Sequence, residues 1–284
     1  MTETETVNFD TIGITDDIMF GSVFGIMEEC KEFLERLLRI KIVELKVVEE
    51  QKSMRTKLAG KGIRIDVYAR DVEGNSYDIE MQLTNTGELD LRSRYYHSEM
   101  DGYQIRRGQK YKNLKESIVI FVCAFDPFKD NRSIYTFETI CRENTAIILE
   151  DKRKTFFVNI NGDRTGLSEE TVHLLDYFKT GKPTDDFTER LQQKVEEIRN
   201  DDEWRENYMT LEMKLDQRFE DGKKVGRAEG EKLGRTEGEK FGRAEGEKFG
   251  RAEGKKIGHS GFSRDLSGIG RIGDRYNSTA YAKI

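Results

Sequence analysis

The sequence predicts a layered α/β core in which a sheet is buried between helices, and three patterns support this prediction. Residues 63–69 and 77–83 alternate apolar and polar side chains, which is the period-two pattern of paired strands. Residues 115–124 contain a continuous apolar run of strand length, typical of a strand covered on both faces. In residues 15–39, apolar side chains recur at helical spacing. The predicted order is helix, three strands, helix, strand.

The first half of the chain supplies this core. Thr15 or Asp16 is the expected N-cap of the first helix. Residues 40–50 are rich in β-branched side chains and predict the first strand, which the two alternating segments follow. Residues 88–112 place several tyrosines near one helical face and predict the helix before the apolar strand.

The second half continues with shorter elements. Three strand-like runs follow the apolar strand, at residues 134–140, 145–149 and 156–160. Ser168 is the expected cap of a short helix that ends near Phe178. A long polar helix is predicted from about residue 184 to residue 222.

Composition narrows the class of protein. The chain has 284 residues, of which 36% are apolar and 36% charged, and its net charge of −6 argues against a protein that coats nucleic acid indiscriminately. No run approaches the roughly 18 to 20 apolar residues of a membrane span. The three cysteines are far apart without C-x-x-C spacing, and no apolar leader opens the chain. We therefore expect free thiols and a cytoplasmic protein that does not interact with membranes.

The two alternating segments form a predicted hairpin with a distinctive pair of acids. If Val72-Glu73-Gly74 is a three-residue loop with glycine in the left-handed conformation, Asp66 faces Glu80 and Arg64 faces Gln82. The β-carbons of the two acids then lie roughly 5 Å apart, and like charges directly opposite are destabilising. A divalent cation bound through oxygens would neutralise them, which predicts a metal-dependent hydrolytic site. The alternative is a solvated sheet face beside Arg64.

Several short motifs resemble, in their order and spacing, those of the bacterial recombination-promoting nucleases, often labelled PD-(D/E)XK nuclease family transposases. They are Asp17-Ile-Met-Phe20 with Val23-Phe24, Ile65-Asp66-Val67, Ile79-Glu80-Met81-Gln82, Arg94-x-Tyr96 and Gly108-x-x-Tyr111-x-x-Leu114. The resemblance covers about residues 12–180, and the glycine-rich arm is also similar to arms found there. It implies a restriction-endonuclease-like core, with a mixed sheet flanked by helices, and magnesium-dependent cleavage of DNA phosphodiesters.

The resemblance also implies roles for individual residues. Asp66 matches the family's metal-binding aspartate, Glu80 matches the second acid, and Gln82 stands where the wider superfamily usually has lysine. A lysine can stabilise developing charge and orient or deprotonate the attacking water, whereas a neutral amide can only orient it. A neighbouring cation is therefore expected to substitute, with Arg94 as the candidate. Asp17 either assists near the metal or is structural. The expected ion is Mg²⁺, with Mn²⁺ as an alternative.

A basic segment after the hairpin suggests where DNA would bind. It is locally rich in cations and interleaved with tyrosines, which suits phosphate contacts. The candidate DNA-binding residues are Arg92, Arg106, Arg107, Lys110 and Lys112. A solvated helix face is the alternative. The predicted function is a DNA endonuclease of little sequence specificity in recombination or mobile-element biology, and the alternative is a catalytically weak DNA-binding or assembly module on the same scaffold.

The C-terminal quarter has a different composition. Glycine occupies every fourth position of residues 222–258, ten in all, and Arg and Glu alternate along one i,i+4 row. Ten interior glycines cost roughly 1 kcal/mol each, so we expect a flexible or conditionally helical arm. The alternative is a helix that forms when glycine stripes let two chains approach, giving a homo-oligomer. The predicted organisation is a nuclease-like domain at 12–180, a connecting helix at 184–221, the arm, and a poorly ordered tail at 259–284.

Overall fold

The computed structural model describes residues 7–54 and 63–258, so the predicted tail at 259–284 lies outside the described residues. Six strands and six longer helices make up the described part. The helices are α1 (Asp17–Phe24), α2 (Met27–Leu38), α3 (Leu89–Gln104), α4 (Glu169–Thr180), α5 (Asp186–Arg199) and α6 (Asp202–Gly258). The strands are β1 (Leu45–Met54), β2 (Ile63–Asp71), β3 (Ser76–Gln82), β4 (Ser117–Cys123), β5 (Ile134–Phe137) and β6 (Arg153–Asn159).

The strands form one mixed sheet in the order β1-β2-β3-β4-β6-β5. The first three strands pair antiparallel, β3, β4 and β6 run parallel, and β5 closes the far edge antiparallel to β6. Strand β4 is buried at every residue, as its continuous apolar run predicted. The predicted mixed α/β core is therefore confirmed.

Helices cover both faces of the sheet. One apolar cluster joins the sheet to α1, α2, α4 and α5, and phenylalanines from three of these helices contact one another within it. A second cluster lies under α3 and includes Tyr96, Met100, Val119 and Phe121. Strand β3 is consequently buried from Ser76 to Met81. The alternative of a solvated sheet face at the hairpin is therefore wrong.

Both long predicted helices are interrupted. The segment 15–39 is two helices: α1 ends at Phe24 with Gly25 as its C-cap, and Ile26 is extended before α2 begins at Met27. Helix α1 begins after Asp16, one of the two predicted caps. The segment 184–222 also breaks: Asn200 caps the end of α5, and the Asp201 carboxylate accepts the Trp204 amide at the start of α6.

Two strand predictions were also inaccurate. The first strand begins at Leu45 rather than at residue 40 and continues to Met54. Residues 145–149 form no strand in the described structure, because a turn at Asn144 folds them back and only Ile148 makes an isolated bridge, to Ile140. Both of these isoleucines are about half exposed. The segment thus has no sheet face to bury.

The chain divides into two compact units, Met1–Met213 and Lys214–Ile284. The first unit extends beyond the predicted boundary at residue 180, since Phe187, Leu191 and Val195 of α5 are buried in its core. In the second unit, the described residues are helical through Gly258 and exposed throughout 222–248. The structure therefore shows helix over residues 222–258, where the glycine content predicted a flexible or conditionally helical arm.

None of the helices in the described ranges combines the length and the apolar content needed to cross a bilayer. All three cysteines lie in these ranges, and each is a free thiol, as predicted.

Candidate functional site

The hairpin of β2 and β3 has the predicted register. Gly74 has a φ of +93°, and the Asp71 amide donates to the Asn75 carbonyl across the three-residue loop at 3.1 Å. Further along, Val67 pairs with Ile79. Because this register is fixed by the loop, Asp66 and Glu80 come next along the two strands, just past the last paired residues.

Asp66 and Glu80 lie together at the end of the backbone ladder. The Asp66 amide donates to the Glu80 carboxylate at 3.2 Å, and the Met81 amide donates to the Asp66 carboxylate at 3.0 Å. Each acid is thus fixed by a backbone group beside the other. Glu80 is 2% exposed, whereas Asp66 is half-buried. The hairpin therefore presents two adjacent carboxylate groups in a largely desolvated environment.

The cation at this pair comes from α3, and it is Arg92 rather than Arg94. The Arg92 guanidinium forms a 2.7 Å ion pair with Glu80 and donates to the Gln82 side-chain oxygen at 2.9 Å. It also donates to the Tyr96 hydroxyl at 2.8 Å. Arg94 is exposed instead. One guanidinium thus contacts both Glu80 and Gln82.

Sequence reasoning did not single out a third acid, Asp78. It lies two residues before Glu80 on the same face of β3, and it is completely buried between Tyr68 and Val119 on the neighbouring strands. Within the part of the chain that the structure describes, neither Asp78 carboxylate oxygen has a hydrogen-bond partner. The available signal in the sequence was its spacing of two residues from Glu80, which places both acids on one face of a strand.

Burial dominates the electrostatics of these acids. It raises the pKa of Asp66 to about 6, although the hydrogen bond from the Met81 amide opposes this shift. Burial, with repulsion from the other acids, raises the pKa values of Asp78 and Glu80 well above their ordinary values. Arg92 lowers the pKa of both, which is the effect of an opposite charge nearby. The protein therefore offsets only part of the negative charge that these acids carry when ionised.

Asp17 contributes at longer range. It is exposed on the first turn of α1, and its carboxylate accepts the amide of Ile18 at 2.9 Å. The neighbouring Asp16 is the cap of the helix. The negative charge of Asp17 raises the pKa of Asp66, so α1 adds to the acidic character of the site.

The structure does not bring the predicted DNA-binding residues together. Arg92 is at the site, whereas Arg106, Arg107, Lys110 and Lys112 are exposed in the segment after α3, which ends at Gln104 rather than near residue 112. At 1.5 Å per residue, Arg92 and the end of α3 are about 18 Å apart along the helix axis. The Gln104 amide contacts Ser76, at the opposite end of β3 from Gln82. These four cations are therefore distant from the acids.

The donor set limits how a metal ion could bind. Across residues 7–54 and 63–258, no three His, Cys, Asp or Glu side chains are arranged to hold a metal ion. Asp66 and Glu80 alone would provide two carboxylate ligands. That number suits Mg²⁺, which keeps several waters and needs only one or two protein carboxylates.

Comparison with known proteins identifies the family. The model of the PD-(D/E)XK nuclease family transposases matches residues 15–226. The chain belongs to this family. No curated protein and no solved structure matches the chain significantly. The six-stranded mixed sheet flanked by helices is consistent with the family's fold. The family match also extends past residue 180, as does the first compact unit.

Proposed function

We propose that this member of the family is a metal-dependent DNA endonuclease with little sequence specificity, acting in recombination or mobile-element biology in the cytoplasm. The observation that carries the proposal is the adjacency of Asp66 and Glu80 on the hairpin, with Gln82 and Arg92 beside them. Family membership supports a nuclease-like activity in mobile elements. The two acids would hold Mg²⁺, or Mn²⁺ as an alternative.

The residues present fit such an ion. Asp66 and Glu80 lie next to each other, and their raised pKa values reflect buried negative charge that Arg92 only partly offsets. A divalent cation is the counter-charge that would favour their ionised forms. When bound, it supplies polarisation of the scissile phosphate and acidification of a bound water.

The remaining chemistry belongs to the side chains around the acids. The Gln82 amide can donate to or accept from a water, so it would orient the nucleophile without deprotonating it. Arg92 would stabilise negative charge that develops on the phosphate, which is the electrostatic task of the missing lysine. In this proposal, orientation and charge stabilisation are divided between two residues of different elements.

One observation favours a second candidate function. Arg92 binds both Glu80 and Gln82, so the protein itself partly offsets the negative charge and engages two of the proposed catalytic groups. A site that keeps these contacts would be a catalytically weak DNA-binding or assembly module that uses the fold as a scaffold. Measurements of DNA cleavage and of divalent-cation binding distinguish the endonuclease from the catalytically weak module.

We test the endonuclease with supercoiled plasmid and Mg²⁺. The wild-type protein should nick or linearise the plasmid, and Asp66→Ala should abolish cleavage. Asp71→Asn is the matched control: Asp71 is a buried aspartate of the same hairpin, but its carboxylate binds the loop and Tyr77. Unchanged cleavage by Asp66→Ala would reject the assignment of the site.

Arg92 and Arg94 provide a second matched pair. Arg92→Gln should lower the cleavage rate by roughly 10² to 10³, the usual cost of removing one group that stabilises transition-state charge. Arg94→Gln, which alters an exposed residue two positions later, should cleave like the wild type. A larger loss of cleavage in Arg94→Gln than in Arg92→Gln would show that Arg94 supplies the cation.

The partners are part of the same proposal. DNA would contact the site and extend to the cations that follow α3, and copies of the chain would associate through the arm. The arm's exposed apolar residues support this association, since Val225, Leu233 and Phe241 recur every eight positions and are each more than half exposed. Along the neighbouring row, Arg227 pairs with Glu231, and Arg235 with Glu239.

A further inference from the structure

Asp78 is the buried acid that the proposed mechanism leaves unused. Its exposure is 0%, and no donor among the described residues reaches either of its carboxylate oxygens. Burying a polar group without a hydrogen bond costs free energy, and burying an unpaired charge costs considerably more. A valine would fit a central strand without this cost. An ionised acid at position 78 therefore needs a cationic partner.

Arg92 is the cation best placed to become that partner. Asp78 and Glu80 are two residues apart on one face of β3, about 7 Å along the strand. Arg92 contacts Gln82 and the Gln104 side chain contacts Ser76, so α3 runs along β3 in the direction from Glu80 to Asp78. The Arg92 guanidinium donates to the Tyr96 hydroxyl, one helical turn further in that direction.

The net charge of the three acids, Arg92 and a divalent cation also favours this role for Asp78. Asp66, Asp78 and Glu80 carry three negative charges when ionised, and Arg92 carries one positive charge. One divalent cation makes this group neutral. Without Asp78, the same cation and Arg92 would share only two carboxylates and would repel each other across Glu80.

We propose that Asp78 is a positioning residue that receives the Arg92 guanidinium when a divalent cation takes the Glu80 carboxylate. In this arrangement Arg92 exchanges one carboxylate for another on the same face of β3, with the Tyr96 hydroxyl between them. Arg92 then remains beside the site without excluding the cation. The proposal rests on the proposed function, because it requires that Asp66 and Glu80 bind a divalent cation.

A double-mutant cycle tests the proposal by calorimetric titration of the full-length protein with Mn²⁺. Asp78→Asn should weaken Mn²⁺ binding by about tenfold, since the Arg92 guanidinium would then stay at Glu80; coupling of this size is usual between neighbouring charged residues. In an Arg92→Gln background, the same Asp78→Asn change should alter the affinity by less than about twofold. Asp71→Asn is the control for loss of a buried aspartate and should bind Mn²⁺ like the wild type. A thermal melt of each variant verifies that it is folded.

The outcomes distinguish failure of this inference about Asp78 from failure of the proposed metal-dependent function. If Asp78→Asn leaves Mn²⁺ affinity unchanged in the wild-type background, Asp78 has no role in cation binding and this inference is wrong, while the proposed function stands. If it weakens binding equally in both backgrounds, Asp78 acts directly rather than through Arg92, which also overturns the inference. If the wild type binds no Mn²⁺, the inference and the metal-dependent function both fail.

A crystal structure of the wild type with Mn²⁺ gives a test that needs no variant. The expected result is an Arg92 guanidinium within hydrogen-bond distance of the Asp78 carboxylate, with Mn²⁺ bound at Glu80. Mn²⁺ at Glu80 with Arg92 still bonded to the same carboxylate would refute the proposal.

Discussion

His97 should make the stability of this protein strongly dependent on pH. It is 2% exposed on α3, and its two ring nitrogens lie 2.7 Å from the Ser117 hydroxyl and 2.9 Å from the Thr155 hydroxyl. This imidazole thereby links α3 to β4 and β6. Burial lowers its pKa to about 3, and the positive charge of Arg153 acts in the same direction while Asp151 opposes it. The folded protein therefore holds His97 neutral.

The size of the effect follows from linkage. An unfolded histidine titrates near pH 6.5, so below that pH the unfolded state binds a proton that the folded state does not. Stability is full above pH 6.5 and is lost progressively as the pH falls toward the folded pKa of about 3. Each pH unit in this window costs about 1.4 kcal/mol, so the loss reaches about 3 kcal/mol at pH 4. The acids of the site have raised pKa values and act with the opposite sign.

The assay must therefore compare two proteins. Denaturant unfolding of the wild type and of His97→Gln at several pH values between 4 and 7 isolates the histidine, because the acids are common to both. The variant should be less stable at pH 7, where it loses a buried hydrogen bond. Its disadvantage should shrink by about 3 kcal/mol at pH 4, because it no longer has an imidazole to protonate. A stability gap that is the same at pH 7 and pH 4 would refute the reasoning.

Two further predictions concern the C-terminal half. Truncation after Asp221 should change the melting temperature by less than about 2 °C, because an exposed segment contributes little to stability. The truncated protein should also form assemblies of lower mass in light scattering. An unchanged mass would show that the arm does not mediate association. Asp185→Ala should destabilise the protein by about 2 kcal/mol in denaturant unfolding, because Asp185 caps α5 together with Thr188 and forms an ion pair with Arg36. Asp186→Ala, next to it and exposed, is the control, and an equal loss in both variants would contradict the capping argument.

The hairpin could be predicted in detail because its register depends on local information. A three-residue loop with a left-handed glycine fixes which residues face each other, and this placed Asp66 beside Glu80 before any tertiary contact was known. Strand β4 was equally clear, because a continuous apolar run of this length is typical of a strand covered on both faces. Both inferences used patterns shorter than about ten residues.

The features that sequence reasoning missed depend on how helices and strands pack against one another. Arg92 and Arg94 lie two residues apart, which turns them about 200° around a helix, and only the rotation of α3 on the sheet decides which one meets Glu80. Asp78 looked like the polar half of an alternating strand, and its burial required knowing that α3 covers that face. The break between α1 and α2 likewise lies at one extended residue, Ile26, which periodicity does not reveal.

In the proposed site, Gln82 and Arg92 together take the place that the resemblance assigns to a lysine, and this has a chemical consequence. A lysine near an active site can lose its proton and act as a base, but an arginine side chain stays protonated at any physiological pH, and the contacts of Arg92 with Tyr96 and Glu80 raise its pKa further. Glutamine does not titrate. Neither residue can therefore remove a proton from the attacking water, and in the proposed enzyme that proton must leave by another route. The dependence of cleavage on a divalent cation should accordingly be stricter here than in a site that contains the lysine, because orientation by Gln82 and charge stabilisation by Arg92 do not create a nucleophile on their own.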